Sequence, residues 1–491
     1  MPAAVDPYDE LPYTDHAYAE AHPDRLAVVA RLSGWEAPDP ERARVLELGC
    51  GRGGHLLPMA SALPRATLLG VDRSGRQIDE ARAIAAATAL ANVTFVQSSF
   101  DALDGGGPAY DFVLCHGVCS WIPAPARKEL LRVVARSLTP SGVAYVSFNV
   151  LPGWYDRLAA RDWLRAHAGE DARAALAWLR DHVSPELGDY RRRLDAVARR
   201  LDAAGRAYAV HEYLAGDNHP QQVSELLAEA EQAGLVYLGD AIPAETALEL
   251  LPDDVAVRAQ GLDVAATQQL IDFVRCTAFR RALFVRADAG EARGWRWAPR
   301  LDASAMETLR VASRLRPHAA EVPGVAAEQF DGPEASVQVA EPTARRALRE
   351  LARIAPRSLP FPELAQRVGA TPADVLRREL FDLWLATGSV DLHACEPAIA
   401  GADAASPRAC PVAAWHARHG GAVTNRWHQE VRLDDRLLRW VLGRLDGSRT
   451  SDDLARELRD AFPGAGARDE DLAAVARASI AALARSALLI E

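Results

Sequence analysis

The 491-residue sequence predicts an α/β fold: a doubly wound, mainly parallel sheet carrying a helical insertion, followed by smaller, mostly helical domains. Three observations carry that expectation. Between Arg44 and Asn149 short apolar segments alternate with helical ones, the pattern of a parallel sheet covered on both faces. The first apolar segment runs into a knot of glycines, "VLELGCGRGGH", as a strand does when it turns into a helix around a ligand. After Asn149 the alternation gives way to apolar residues at three- and four-residue intervals, which is helical spacing.

In order, "RVLELG" reads as a strand and "GHLLPMASAL" as a helix that tolerates Pro58 in its early turns. "ATLLGVD" is the second strand, "GRQIDEARAIAAATAL" a helix and "VTFVQ" the third strand. "YDFVLCHG" makes a fourth strand and "APARKELLRVVARSL" a helix; "GVAYVSFN" is a fifth strand after a turn at Thr139–Gly142. Residues 155–215 form a helical insertion, expected to project as a cap or a contact between two copies of the chain. "QQVSELLAEAEQAG", "LVYLGDA", "TQQLIDFVRCTAFR" and "RALFVRAD" then supply helix, strand, helix and strand, and complete the same sheet with a sixth and a seventh strand. The sheet domain thus covers 41–154 and 216–290, with residues 1–40 as an N-terminal lid. An Ala-, Glu- and Pro-rich linker at about 316–342 lies in the next part of the chain. Two winged-helix-like units, 300–395 and 410–491, follow the sheet domain, each a set of short helices with an extended tail.

Composition narrows the function. Hydrophobic residues at 49% and charged residues at 25% are those of an ordinary soluble globular chain. A net charge of −11 repels a phosphate backbone, so bulk nucleic-acid binding is disfavoured despite the winged-helix rhythm, and basic partners suit the chain better. Lys128 is the single lysine among 56 basic residues, a bias toward Arg that reads as coding composition. The N-terminus carries acids rather than an apolar core, and no apolar run approaches the roughly 20 residues that span a bilayer. A cytoplasmic location with six reduced cysteines is expected. Cys395, Cys410, His416 and His419 lack the compact spacing of zinc ligands and read as free thiols and ordinary imidazoles.

The glycine turn admits two ligands. As Gly49-x-Gly51-x-x-Gly54 it satisfies the dinucleotide fingerprint; as Glu47-x-Gly49-x-Gly51-x-Gly53 it is the turn that receives S-adenosylmethionine. Asp72, at the end of strand two, can accept hydrogen bonds from the ribose hydroxyls of either. Glu47 is more informative, because a carboxylate at the end of an apolar strand is costly to bury unless it is bonded. A cationic amino-acid end suits it and a pyrophosphate does not, which tilts the reading toward the methyl donor.

The run "VLELGCGRGG", "LLGVDRS", "FVQSS", "YDFVLCHGV", "LTPSGVAYVS" resembles the class I S-adenosylmethionine-dependent methyltransferases, with their Rossmann-like fold, over about residues 40–150. "YDELPYTDHAYAEAHPDRL", "HGVCSWIP", "FNVLPGW", "HEYLAGDNHP", "AGLVYLGDA" and "DFVRCTAFRRALF" resemble more narrowly the methyltransferases carrying a regulatory domain, a group that includes bacterial protein-lysine methyltransferases of outer-membrane proteins. The resemblance implies S-adenosylmethionine as cofactor, held by Glu47, Gly49, Cys50, Gly51, Gly53, Asp72 and Arg73, with Ser99 and Phe100 at the adenine and His116 and Gly117 at the methionine part. Ser99 stands where the wider class carries an acid, and Asp101 supplies one if the loop is shifted. Toward the acceptor it implies His116 as a proton acceptor or a packing residue, Trp121 and Trp154 as an aromatic wall for a cation, Asn149 as a carbonyl near the methyl group, and Tyr13, with Tyr8, in a lid.

The function expected is methyl transfer by in-line displacement to a protein or peptide side chain such as lysine, an outer-membrane protein being one such acceptor. A small-molecule acceptor, a non-catalytic S-adenosylmethionine-binding scaffold and, through the dinucleotide fingerprint alone, an NAD-dependent oxidoreductase are the alternatives. Neither a membrane nor a metal is expected at the site, and a homodimer is expected through the helical insertion.

Overall fold

The fold was examined in a computed structural model, which describes residues 7–11, 15–103, 107, 109–167, 169, 171–318, 327–333, 336–401, 405–461 and 469–490. A seven-stranded sheet organises the first 290 residues, in the order β3-β2-β1-β4-β5-β7-β6. The strands are β1 Arg44–Leu48, β2 Thr67–Asp72, β3 Val93–Gln97, β4 Tyr110–Cys115, β5 Leu138–Asn149, β6 Leu235–Asp240 and β7 Phe279–Arg286. All are parallel except β7, which slots antiparallel between β5 and β6. The chain reverses its direction of travel across the sheet between β1, which pairs with β2 on one side, and β4 on the other. A ligand site in an open α/β sheet is expected beyond the carboxyl ends of the strands at that switch.

The inner strands β1 and β4 and the second half of β5 are apolar and buried on both faces, while β3, at the sheet edge, buries Val93 and Phe95 and exposes the alternate residues. On one face Leu26 and Val29 of the helix Pro23–Leu32 pack with Leu56 and Leu57 of the helix Leu56–Ala62 and with Ile78 of the helix Gly75–Ala87. On the other, Leu130 to Val134 of the helix Ala124–Ser137 pack with Leu226 of the helix Val223–Gln232. Arg127 fastens these last two helices by a bidentate pair with Glu229 (2.8 and 3.0 Å). The antiparallel pair is fixed by a buried network in which Arg280 of β7 donates to Asp240 at the end of β6 (2.6 Å) and to Asp272 (2.9 Å).

Residues 155–215 form three helices, Tyr155–His167, Ala172–His182 and Gly188–Ala209, closed by one π turn and built around their own core of Leu164, Leu176, Leu194 and Leu201. The middle domain joins three helices, Pro342–Ile354, Phe361–Arg367 and Asp374–Thr387, to a three-stranded sheet of Arg310–Ser313, Leu359–Pro360 and Val390–His393. The C-terminal domain has helices Pro411–His419, Arg436–Leu442, Ser451–Ala461 and Asp469–Arg485 and a hairpin of Val423–Thr424 with Glu430–Val431.

Four expectations are corrected. Thr139–Gly142 is no turn before β5 but part of it. Tyr110 pairs with Leu138 and Phe112 with Val143, so the Pro-Ser-Gly segment bulges out of a strand that has already begun. The segment "TAFR" is not helical: the preceding helix stops at Arg275, Cys276 turns left-handed with φ of 50°, and β7 opens at Phe279. The region 316–342 is not simply a linker, since Arg316–Pro317, Glu328–Asp331 and Ser336–Val339 pair into an antiparallel sheet that buries Phe330. Finally, little of 1–40 is lid: Pro23–Leu32 is a core helix against the sheet. Among the described residues no helix is long and apolar enough to cross a membrane, and no cluster of three acidic, His or Cys side chains is placed to hold a metal.

Candidate active site

A cavity of about 540 Å³ opens at the predicted switch, lined from the ends of β1, β2, β3, β4 and β5 and the start of β7. The glycine turn forms its floor. Gly49, Gly51 and Gly53 all have positive φ (79°, 52° and 77°), a conformation that side chains resist. The N–H groups of Gly49 and Cys50 donate to the Val71 carbonyl (2.8 and 3.2 Å), stitching the turn to the end of β2. Asp72 completes the stitch: its Oδ2 accepts from the Gly51 N–H and its Oδ1 from the Ser74 N–H, both at 2.9 Å. The ribose-binding carboxylate expected at Asp72 therefore also holds the turn that faces it. Gly53 stands apart from the cofactor contacts expected of it. It does not line the cavity, and a Cβ there would meet the Phe95 ring at 2.8 Å, so that glycine serves close packing under the turn.

Glu47, Cys50, Arg73, Ser99, Phe100, Asp101, His116, Gly117, Trp121 and Asn149 all line the cavity together with Gly49, Gly51 and Asp72. Trp154 does not. It is fully buried at the base of the insertion with the Arg157 guanidinium 5.0 Å from its ring centroid, so Trp121 has no tryptophan partner in the wall. Tyr13 lies outside the described residues, as does the side chain of Tyr8. Among the described residues the N-terminal aromatic that reaches the cavity is Tyr18, with Asp15 and His16 beside it.

Burial, followed by the negative charges of Asp72 and Asp15, pushes the Glu47 carboxyl up to about 8. Its Oε2 has no hydrogen-bond partner among the described residues. A buried acid with one oxygen unmatched is the receptor expected for a cationic group, and the amino-acid end of S-adenosylmethionine supplies one. The space about Gly117, where an added Cβ would meet nothing within 4 Å, leaves room beside it. The residues present fit that cofactor. They fit a dinucleotide poorly: beside the protonated Glu47, five more acidic side chains line the cavity (Asp15, Asp72, Asp101, Glu129 and Glu212) against one lining guanidinium, Arg73, a balance that disfavours a pyrophosphate.

His116 does not have the near-neutral pKa expected of a proton acceptor. Burial, with Arg281 and His16 nearby, pushes its imidazole down to about 3. The ring shares a 2.8 Å hydrogen bond with the Tyr145 hydroxyl and stacks on Tyr18 with centroids 3.5 Å apart. It is a neutral brace for Tyr18. Asn149 is held by Ser120, whose Oγ accepts from its backbone N–H (2.8 Å), and by Asn218, whose Oδ1 accepts from its Nδ2 (3.2 Å).

Sequence reading missed the contribution of the C-terminal domain. Its hairpin brings His428, with φ of 61°, to His55 beside the glycine turn (ring nitrogens 2.7 Å apart), and Glu430 to His16 (2.9 Å). His55 accepts from the Tyr18 N–H in turn (3.2 Å). The segment that carries His16 and Tyr18 is thus held from behind by a domain more than 370 residues away in sequence. His211 and Glu212, from the turn that closes the insertion, and Phe279, at the start of β7, also line the cavity. The segment "HEYLAGDNHP" carried the signal for the first two, as a polar cluster after a long helix.

This strand order, with a glycine turn between two acidic strand ends, is the fold of the class I S-adenosylmethionine-dependent methyltransferases. Residues 45–142 match the methyltransferase domain family, 205–286 a predicted methyltransferase regulatory domain, and 406–465 the PKMT C-terminal winged helix domain. An uncharacterized protein of Rickettsia prowazekii is 33% identical over 293 residues, 58% of this chain and 53% of its own length, so the chain spans about half of that relative. Trans-aconitate 2-methyltransferase of Azoarcus is 28% identical over 227 residues, 42% of this chain and 85% of that enzyme. The structure of PKMT2 from Rickettsia typhi in complex with AdoHcy superposes with a TM-score of 0.85 over 98% of this chain and all of that one, at 23% identity, which establishes a shared fold throughout.

Proposed function

We propose that this chain transfers the methyl group of S-adenosylmethionine to a protein side-chain amine, lysine in the first place. The observation that carries the proposal is the acidity of the cavity lining, six acidic side chains to one guanidinium, with Glu47 protonated and Asp15 and Glu129 paired with Arg52 and with Arg132 and Arg136, which draws a cationic acceptor as well as a cationic cofactor. The match of residues 406–465 to a domain named for PKMT, and the fold shared with PKMT2, support the same acceptor.

The cofactor supplies an already reactive methyl group; the chain must position an acceptor lone pair in line with it and exclude water. Glu47 takes the cofactor's ammonium, Asp72 its ribose, and Ser99 and Phe100 its adenine, while Gly49, Cys50, Gly51 and Arg73 shape the floor. Asp101 and Glu129, near the exposed side, recruit the lysine. Tyr18, Trp121 and Phe279 with neutral His116 form the inner wall, and Asn149 offers its carbonyl beside the methyl group. A lysine of ordinary pKa is neutral about once in 2500 molecules at pH 7, a deficit of roughly 4.6 kcal/mol. An uncharged aromatic wall reduces that deficit by desolvating the ammonium, which releases its proton to solvent water at the cavity mouth before the amine enters the inner wall. Outer-membrane proteins are one acceptor class within this reading. The helical insertion, with Trp178 and Leu187 exposed, is where a second copy would pack.

The test is incubation of the chain with labelled S-adenosylmethionine and a bacterial lysate, whole or passed through a small-pore filter, followed by mass spectrometry. Methyl-lysine in protein bands is expected; label confined to the low-mass fraction overturns the protein acceptor. Because the chain holds one lysine, Lys128, label on a lysine of the enzyme itself reports on a single side chain. The similarity to trans-aconitate 2-methyltransferase favours a second reading, a small carboxylic acid as acceptor, and the filtered lysate tests it directly.

A further inference from the structure

A second cavity, of about 240 Å³, lies where the helices Pro23–Leu32 and Leu56–Ala62 meet the middle and C-terminal domains. Most charges around it are matched: Arg25 with Asp391 (2.8 Å), His393 with Asp24 (2.7 Å), Glu396 with Arg310 (2.8 Å), and Arg65 with Glu41. Arg426 is the exception. It is 7% exposed, and its guanidinium donates to the carbonyls of Ala398 (3.0 Å), Ser61 (2.6 Å) and Ala62 (3.1 Å) and hydrogen-bonds the Cys410 thiol. No carboxylate among the described residues pairs with it. A buried cation solvated by neutral dipoles alone is electrostatically incomplete.

Three other lining residues carry buried ring nitrogens without a partner among the described residues: His22 Nε2, His393 Nε2 and Trp427 Nε1. His22 Nδ1 accepts from the Asp24 N–H (3.2 Å), and burial pushes the ring down to about 4. The neutral ring therefore carries its proton on Nε2, a donor with nothing to donate to. The Trp427 indole is a second such donor. Two unmatched N–H groups beside an unneutralised guanidinium call for acceptor oxygens bearing negative charge. Leu63, Pro64, Pro397 and Ala398 supply an apolar wall opposite. The volume is below the roughly 300–1,000 Å³ of drug-sized sites, which restricts the ligand to a few carbons.

We propose that this cavity binds a small organic carboxylate, its oxygens on Arg426, His22 and Trp427 and its hydrocarbon against Leu63 and Pro397. The site touches both supports of the cofactor lid. His22 caps the helix that follows Tyr18, and Arg426 stands two residues before His428, which holds His55. Where the methyltransferase reading holds, carboxylate and cofactor bind with reciprocal effect: each raises the affinity of the other by the same factor.

Equilibrium dialysis of the full chain with radiolabelled butyrate, succinate or inorganic phosphate, at fixed ionic strength in chloride, tests the site. One equivalent of a carboxylate is expected to bind saturably, at least tenfold more weakly in Arg426→Met. Trp427→Phe removes a donor that has no protein partner, and should weaken binding several-fold while the thermal midpoint stays within a few degrees. It decides the matter if Arg426→Met fails to fold. No saturable binding, binding indifferent to both substitutions, or phosphate binding more tightly than either carboxylate overturns the proposal. Carboxylate binding that persists while S-adenosylhomocysteine does not bind defeats the methyltransferase reading alone.

Discussion

Glu47 sets stability against function within one side chain. Folded, it keeps its proton up to about pH 8; unfolded, it loses it near 4.5, so its contribution to stability falls as pH rises across that window. Glu47→Gln should therefore stabilise the cofactor-free chain at pH 8.5, by on the order of a few kcal/mol, and weaken S-adenosylhomocysteine binding at least tenfold. Denaturant melts at pH 6 and 8.5 with calorimetry read both effects; equal affinity in the variant would remove Glu47 from the cofactor site. Wild-type binding should also release a proton near pH 7, seen as a dependence of the binding enthalpy on buffer ionisation. Gly49→Ala places a Cβ 2.4 Å from Val118 Cγ2 at a φ of 79° and should abolish cofactor binding. With His116 already neutral, turnover on lysine should climb with pH from 6 to 9 with no break near 6.5, because only the acceptor's proton is being lost; a break there would return His116 to the role of base.

Among elements, the first five strands were legible because each carries a short apolar run that stops at a glycine or a polar residue, and such runs alternating with helices are the pattern of a parallel sheet. The placement of β7 between β5 and β6 was not, since an antiparallel insertion leaves no mark on local composition. It is set instead by tertiary contacts such as the Arg280 network. Arg280→Met leaves Asp240 and Asp272 buried without a cation and should destabilise the chain by about 3–5 kcal/mol in urea. The floor of the site was legible in the same way as the strands, from Glu47 through Asp72. The lid was legible only as a polar aromatic stretch, and Tyr18 is the aromatic of that stretch that reaches the cavity among the described residues. What identifies Tyr18 is its stack on His116 and its N–H bond to His55, neither of which has a signature in sequence.

At the scale of the molecule, the three parts are joined by buried polar contacts around the helix Pro23–Leu32. Asp24 receives His393 and the N–H groups of Ala394 and Cys395. Burial alone would raise its pKa, but His393, Arg25 and His22 hold it well below the ordinary carboxylate range. The stability it contributes is present above about pH 4 and lost as pH falls below, so acid should release the middle domain early. Limited proteolysis at pH 2 with an acid protease is expected to cut between the sheet domain and residue 393 before the sheet unfolds, and Asp24→Asn to show the same cut at pH 7. His428→Ala should raise the KM for S-adenosylmethionine several-fold and speed amide exchange in residues 15–18, with kcat less affected. Unchanged exchange would mean that the hairpin does not restrain the lid.

That hairpin has a consequence for biosynthesis. On the ribosome the glycine turn emerges early and β7 completes the sheet, yet the chain still lacks His428 and Glu430. A nascent polypeptide at that point holds the strand ends around the cavity and the His116 brace of Tyr18, but not the hairpin that backs His55 and His16. Translation order itself withholds the finished site until nearly the last domain has left the tunnel.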